Sequence, residues 1–416
     1  MRVALIDPSL FTWPYDAELA LALRGAGCEV AIFGKPLPAA EAGPAYPLLR
    51  EHFYRSLDSG LAKRLPRGAF LAAKGLIHIR DMTRLLDALR AFRPDVIHVQ
   101  WAPLAVVDRW FVGALRAIAP IVLTVHDTVP YNGSPRSYLQ RLSAVSIMGQ
   151  FDRQIVHTHE AAQRLREYGL SNVTVRRIPH GPMGLGPVLD HTVTTRRAPD
   201  APIQILLFGR IKPYKGADVL IAAATAMRRE LLARSRIRII GKPFMDLTPL
   251  QAAVGAAGIG AYVSIEPRFV AEAEVADLLA STDVIALPYR EIDASGVLMS
   301  CLSGGVPVIA SRIGLFAEML EDGKHGYLID VGDHLALARA LEALIEHPER
   351  RAAMSAEVKK LRDGIPSWAT IAERTIELYR ELTETNSQAG AHPVLNARSS
   401  LGDSGNLTQD YAKRGT

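Results

Sequence analysis

From end to end this chain alternates short apolar runs with longer amphipathic stretches, the rhythm of βαβ units built on parallel sheets. In the first half the pattern predicts strands at 2–7, 29–33, 95–100, 121–126, 153–158 and 174–178. Several of them carry apolar residues at consecutive positions, as strands covered on both faces do. Between the first two, Leu19, Leu21 and Leu23 sit among alanines, and residues 16–26 read as a helix closed by Gly25 or Gly27. Periodicity is then lost over 181–201, where glycine, proline and threonine dominate. The alternation restarts with strands expected at 203–208, 237–240, 262–265, 283–287, 307–310 and 327–329. Helices are expected near 217–232, 249–257, 273–280, 297–302 and 334–346, and a last amphipathic run, 368–382, follows Pro366. The class is therefore α/β. At 416 residues the chain exceeds one ordinary core. The expected division is a first domain over 1–180, a linker over 181–201, a second domain over 202–365 and a terminal helix over 366–384. Residues 385–416 are polar, with few apolar anchors, and are expected to be a disordered tail.

Charge narrows the partners. Lys plus Arg number 48 against 43 acids, a net charge of +5. That modest excess suits an anionic ligand such as a nucleotide, a phospholipid surface or a lipid diphosphate. Without a zinc finger, an RNA-recognition aromatic pattern or a basic heptad helix, no nucleic acid partner is expected. The two cysteines, Cys28 and Cys301, lie in apolar surroundings, too few for a disulfide framework and lacking metal-ligand spacing. No run reaches the ~20 apolar residues of a membrane span, and 3–6 is only a strand's length before Asp7 and Pro8. A cytoplasmic protein is expected, with any membrane contact peripheral at the inner face. Residues 50–93 hold ten Lys/Arg against four acids, among them Lys63, Arg64 and Arg67. Such a face serves either as a solvated helical surface or as a contact with anionic lipid.

Three segments carry the chemistry. In the first, a strand ends at Gly209, a loop with Arg210, Lys212 and Lys215 follows, and Gly216 opens a helix. In an open α/β sheet ligands bind beyond the carboxyl ends of strands, so these cations are placed to hold a diphosphate. The spacing of Gly209 and Gly216 matches neither a P-loop nor a dinucleotide fingerprint. In the second, a strand at 283–287 runs into a polar loop, and Ser295-Gly296 starts a short helix. Free amides there attract an anion, and glycine permits close approach. In the third, Thr124-Val125-His126-Asp127 ends a strand of the first domain and aims His126 at the second.

Taken together, Phe208–Gly216, Ser281–Tyr289, Gly304–Ser311 and Glu318–Ile329 resemble the family-4 glycosyltransferases in order and spacing over roughly 1–384. The resemblance implies the GT-B fold, two Rossmann-like domains facing each other across a cleft. It also implies transfer of a hexose from a nucleotide-diphosphate sugar, with retained anomeric configuration, no metal and no cofactor. Val99–Pro103 together with Thr124–Asp127 resembles a bacterial branch that builds surface polysaccharide or lipid-linked glycans, which suggests a glycan or lipid-linked acceptor. Carried over by position, Arg210 and Lys215 match the pair that holds the donor diphosphate, beside Gly209. Ser295, Gly296 and Val297 match the turn whose amides also touch it, and His126 matches a histidine near the donor sugar. The family's glutamate pair aligns on Ile292 and Ser300, a departure in this chain. Glu291 and Asp293 flank the first position and are the candidate substitutes. The first βα loop also departs. Phe11, Trp13 and Tyr15 replace the usual glycines there and are candidates either for an acceptor-side platform stacking on a sugar or for ordinary loop packing. Two other readings stay open, a catalytically silent sugar-nucleotide-binding partner subunit and a nucleotide-sugar epimerase of the same fold.

Overall fold

The computed structural model describes residues 1–38, 43–57, 66–128, 145–171, 174–183 and 201–390. Among them the strands form two all-parallel sheets. The first contains β1 (Arg2–Asp7), β2 (Glu29–Gly34), β3 (Leu49–Glu51), β4 (Val96–Val99), β5 (Ile121–Thr124), β6 (Arg153–Val156) and β7 (Val175–Arg177), in the order β3-β2-β1-β4-β5-β6-β7. The second contains β8 (Ile203–Phe208), β9 (Ser235–Ile240), β10 (Val263–Glu266), β11 (Val284–Leu287), β12 (Val308–Ser311) and β13 (Gly326–Ile329), in the order β10-β9-β8-β11-β12-β13. Strand order reverses between β1 and β4 in one sheet and between β8 and β11 in the other. Doubly wound sheets open a ligand crevice at that point, beyond the carboxyl ends.

Both sheets are covered on two faces, which is why their strands read as continuous apolar runs. Along β8, Ile205 and Leu207 enter one core while Leu206 and Phe208 enter the other. Along β1, Ala4 and Ile6 face away from Val3 and Leu5 in the same manner. Cys28 and Cys301 are both buried thiols.

The closing helix, Trp368–Gly390, leaves the second sheet and packs on the first. Ile371, Ala372, Tyr379 and Leu382 share a core with Leu19 and Leu23 of the helix Trp13–Gly25. Its Tyr379 hydroxyl meets His98 Nδ1 at 2.6 Å, and Trp368 Nε1 donates to the Pro182 carbonyl at 2.7 Å. The helix continues past 385, where the composition pointed to a tail. The hydroxyls of Thr383 and Thr385 bond back to the carbonyls of Arg380 and Glu381, so these polar residues do not break it. The rest of the expected tail and most of the expected linker lie outside the described residues.

Two further features differ from the pattern reading. The helix expected over 217–232 is two, Ala217–Ala226 and Arg229–Ala233. Met227 is extended between them, and the Arg228 amide donates to Glu342 at 2.6 Å instead of continuing the ladder. The helices His159–Glu167 and Pro348–Asp363 and the short strand β3 also stand where no element was expected, and the basic stretch 50–93 carries the helix Arg67–Phe92. No helix of the described residues is long and apolar enough to cross a membrane.

Candidate active site

The basic loop after β8 is held in place by two glycines. Gly209 has φ +107°, and a Cβ there would sit 2.9 Å from Lys215 Nζ and 3.2 Å from the Val297 side chain. The absent side chain is what lets the lysine amine lie over the strand's end, beside the helix Gly296–Ser303. Gly216 has φ +69°, and a Cβ there would lie 2.0 Å from the Pro288 carbonyl. The loops after β8 and β11, which flank the switch point, are thereby pressed together. Arg290 bonds them further, pairing with Asp218 at 2.6 Å and donating to the Pro213 carbonyl at 3.0 Å.

Lys215 is buried, with its ammonium 4.9 Å from the centre of the Tyr289 ring. Burial, then the neighbouring charges of Lys212 and Arg210, pull its pKa down to about 7. Lys212 is lowered as well, by burial and by Arg210. Three cations crowded against one sheet edge repel one another, and an anion placed between them would relieve that repulsion. Arg210 is exposed and reaches across to the Phe11 carbonyl of the first domain at 3.5 Å.

On the other side of the same crevice Ser295 caps the helix Gly296–Ser303, its hydroxyl accepting from the Leu298 amide at 3.1 Å. The amides of Gly296 and Val297 fall in the first turn, where no intrahelical carbonyl is available. The positive end of this helix thus faces the same space as the lysine.

Other expected residues stand differently. The Ser300 hydroxyl turns back to the Gly296 carbonyl of its own helix at 3.1 Å. Asp293 is buried, and its carboxylate is spent on the first domain: it accepts from Thr128 Oγ1 at 2.6 Å and from Arg164 at 2.8 Å. This corrects the expectation that Asp293 substitutes for the first glutamate of the family's pair. Glu291 is exposed and lies near Asp127, whose carboxyl it helps to raise. Trp13 and Tyr15 are a second correction. Both are buried, and Tyr15 sits among His126, His157, His180 and Trp368, with ring centres 4.9–5.2 Å away. The returning helix brings Trp368 over that loop and closes it. Phe11 of the same loop remains 44% exposed.

His126 is 8% exposed and stacks on Trp101 at 5.6 Å with the planes 14° apart. Burial, then His157, His180 and His98, drives its pKa well below the ordinary histidine value, so the ring is neutral. The Gln100 carbonyl oxygen lies 3.1 Å from its Nε2, and the Gln100 amide nitrogen faces His98 Nε2 at 3.3 Å. That arrangement assigns the proton to His126 Nε2 and leaves Nδ1 as an acceptor.

Trp101, Gln100, Asp127, Thr128, Arg164 and Arg290 escaped the sequence reading as site residues. Asp127 had a usable signal, being next to His126 at a strand's end. Burial, then Asp293 and Glu291, raise its carboxyl to about 7, against the opposing pull of Lys212. Lys63 and Arg64 of the basic stretch lie outside the described residues.

Both halves of the chain are similar to known proteins. The profile described as Glycosyltransferase Family 4 matches residues 16–182, and that described as Glycosyl transferases group 1 matches 202–347. The chain is 27% identical to a D-inositol 3-phosphate glycosyltransferase of Kineococcus radiotolerans, over 91% of this chain and 92% of that protein. Among solved structures it superposes on HepE from Anabaena, crystallised with UDP and glucose, with a TM-score of 0.72 at 17% identity, covering 92% of this chain and 100% of that one. Sucrose-phosphate synthase from Thermosynechococcus elongatus gives a TM-score of 0.72 at 19% identity, with the same coverage. Two parallel sheets of like strand order, a profile match on each half and superposition on solved structures lead to one assignment: the chain is a glycosyltransferase of family 4 with the GT-B fold.

Proposed function

We propose that this enzyme transfers a hexose from a nucleotide-diphosphate sugar, bound at the second domain, to a glycan or lipid-linked acceptor bound at the first. The carrying observation is Lys215, whose amine lies over Gly209 next to the amino end of the helix Gly296–Ser303. Breaking the sugar–phosphate bond leaves negative charge on the departing diphosphate. Arg210, Lys215 and the Gly296 and Val297 amides answer that charge without a metal, and one such preorganised donor contributes on the order of 3 kcal/mol. The neutral His126 faces the donor sugar in this reading, and configuration is retained. Residues 1–180 form the acceptor domain and 202–365 the donor domain, joined by 181–201, with 366–384 returning to the first. UDP and glucose in HepE support the donor class, while the relatives' name carries D-inositol 3-phosphate, a phosphorylated polyol.

The helix Arg67–Phe92 supports a peripheral membrane role at the cytoplasmic face. Leu71 and Leu76 are 58% and 70% exposed there, on a segment rich in arginine. The decisive screen is thermal unfolding against nucleoside diphosphates and their sugars. Bound at 100 times its dissociation constant, the true ligand stabilises the native state by about 2.7 kcal/mol, and no stabilisation by any of them refutes the reading. A second reading, a silent sugar-nucleotide-binding subunit, is favoured by the self-bonded Ser300 and the diverted Asp293. Donor binding without transfer or donor hydrolysis would select it.

A further inference from the structure

The loop that leads from β11 to the anion-facing helix is bonded to the opposite domain. Three donors converge on the Asp293 carboxylate from the first domain: the amide and hydroxyl of Thr128 and the guanidinium of Arg164. These partners are 165 and 129 positions away in sequence. Arg164 also holds Glu160 at 2.5 Å, and Glu160 Oε2 accepts from the Gly314 amide of the second domain at 2.9 Å. Glu318 Oε1 in turn accepts from the Glu160 amide at 2.9 Å. The Asp293 carbonyl accepts from the Leu315 amide at 3.0 Å, so the same short loop is fixed on its own side too. The acid is 4% exposed. A buried carboxylate with three donors is fully satisfied, and losing one donor is costly because the charge stays behind.

We propose that Asp293 is a positioning residue: with Thr128 and Arg164 it forms a clamp across the cleft that sets the turn 291–295, and hence the Ser295–Val297 amides, for the donor diphosphate. This rests on the donor reading given above. A single residue, Ala294, separates the clamped acid from the cap residue Ser295, so a shift of one moves the other. When the domains part, Thr128 and Arg164 leave with the first domain and the turn loses three of its anchors. Closure of the cleft and ordering of the diphosphate site are then one event.

The test uses the full chain and UDP as probe. Arg164→Ala removes one donor without touching the diphosphate site. Hydrogen exchange over 290–297 is expected to rise, and UDP affinity by calorimetry to fall about 10-fold, the size of one charge-assisted bond. Arg164→Lys recovers part of both, and the unfolding temperature of Arg164→Ala falls because the buried Asp293 charge is left one donor short. Thr128→Val, which deletes one hydroxyl, gives a smaller loss of the same kind and serves if Arg164→Ala folds poorly. Wild-type exchange over 290–297 in both variants overturns the clamp. Raised exchange with unchanged UDP affinity overturns its positioning role. If the wild-type chain binds neither UDP nor any other nucleoside diphosphate, the donor reading fails and the exchange measurement alone decides the clamp.

Discussion

Burial and two neighbouring cations bring the pKa of Lys215 down to about 7. A diphosphate arriving beside it favours the charged amine, so binding takes up a proton. The sign follows from linkage: above the free-state pKa the site must first recapture a proton, and affinity declines as pH rises. If the bound-state value stays well above 9, affinity falls about 25-fold between pH 7.5 and 9, or about 1.9 kcal/mol. That window lies above the second ionisation of a phosphate, about pH 6, so the charge on the diphosphate itself is constant across it. Calorimetric titration of UDP in buffers of different ionisation enthalpy reads both the slope and the proton count. Lys215→Met keeps the apolar stem, and is expected to bind weakly with the slope much reduced. A flat profile in the wild-type chain, or the same slope in Lys215→Met, would refute the reasoning.

Four further outcomes are expected. Lys215→Ala retains the fold by circular dichroism yet lowers turnover with the true substrates roughly 100-fold or more. Gly216→Ala places a Cβ 2.0 Å from the Pro288 carbonyl at positive φ; the strain costs about 1–3 kcal/mol in a denaturant titration. Asp127 has its carboxyl raised to about 7 by burial and by Asp293 and Glu291. Below its unfolded-chain pKa of about 4 both states hold the proton, and between that and 7 only the folded state does, so its share of stability falls as pH rises through this window; Asp127→Asn flattens that stretch of the stability–pH curve. Replacing Leu71 and Leu76 with serine lowers co-sedimentation with anionic vesicles and leaves unfolding temperature unchanged, because both side chains face solvent.

Much of the fold was legible because strands covered on both faces write themselves as unbroken apolar runs. β1 and β8 begin and end at the residues expected. The helix split at Met227 was not legible, since the partner that captures the Arg228 amide is Glu342, more than a hundred residues on. The same reason divides the site. Arg210, Lys215 and Ser295 stand on loops whose place is set by the strand before them, so position in sequence announces position at the sheet edge. Asp293 stands on such a loop too, but the donors that claim it come from Thr128 and Arg164. An aromatic in the first βα loop looks alike whether it faces a ligand or a core. Tyr15 was claimed for the core by His126, His157 and His180 and by Trp368, which arrives at the far end of the chain, while Phe11 stayed exposed.

The central claim is that the second domain grips a pyrophosphate between the loop after β8 and the helix after β11. A crystal structure of the full chain with UDP measures this directly. The account predicts phosphate oxygens within hydrogen-bonding distance of Lys215 Nζ, Arg210 and the Gly296 and Val297 amides. Phosphates bound away from these groups, with Lys215 still packed on Tyr289 and unoccupied, would contradict it.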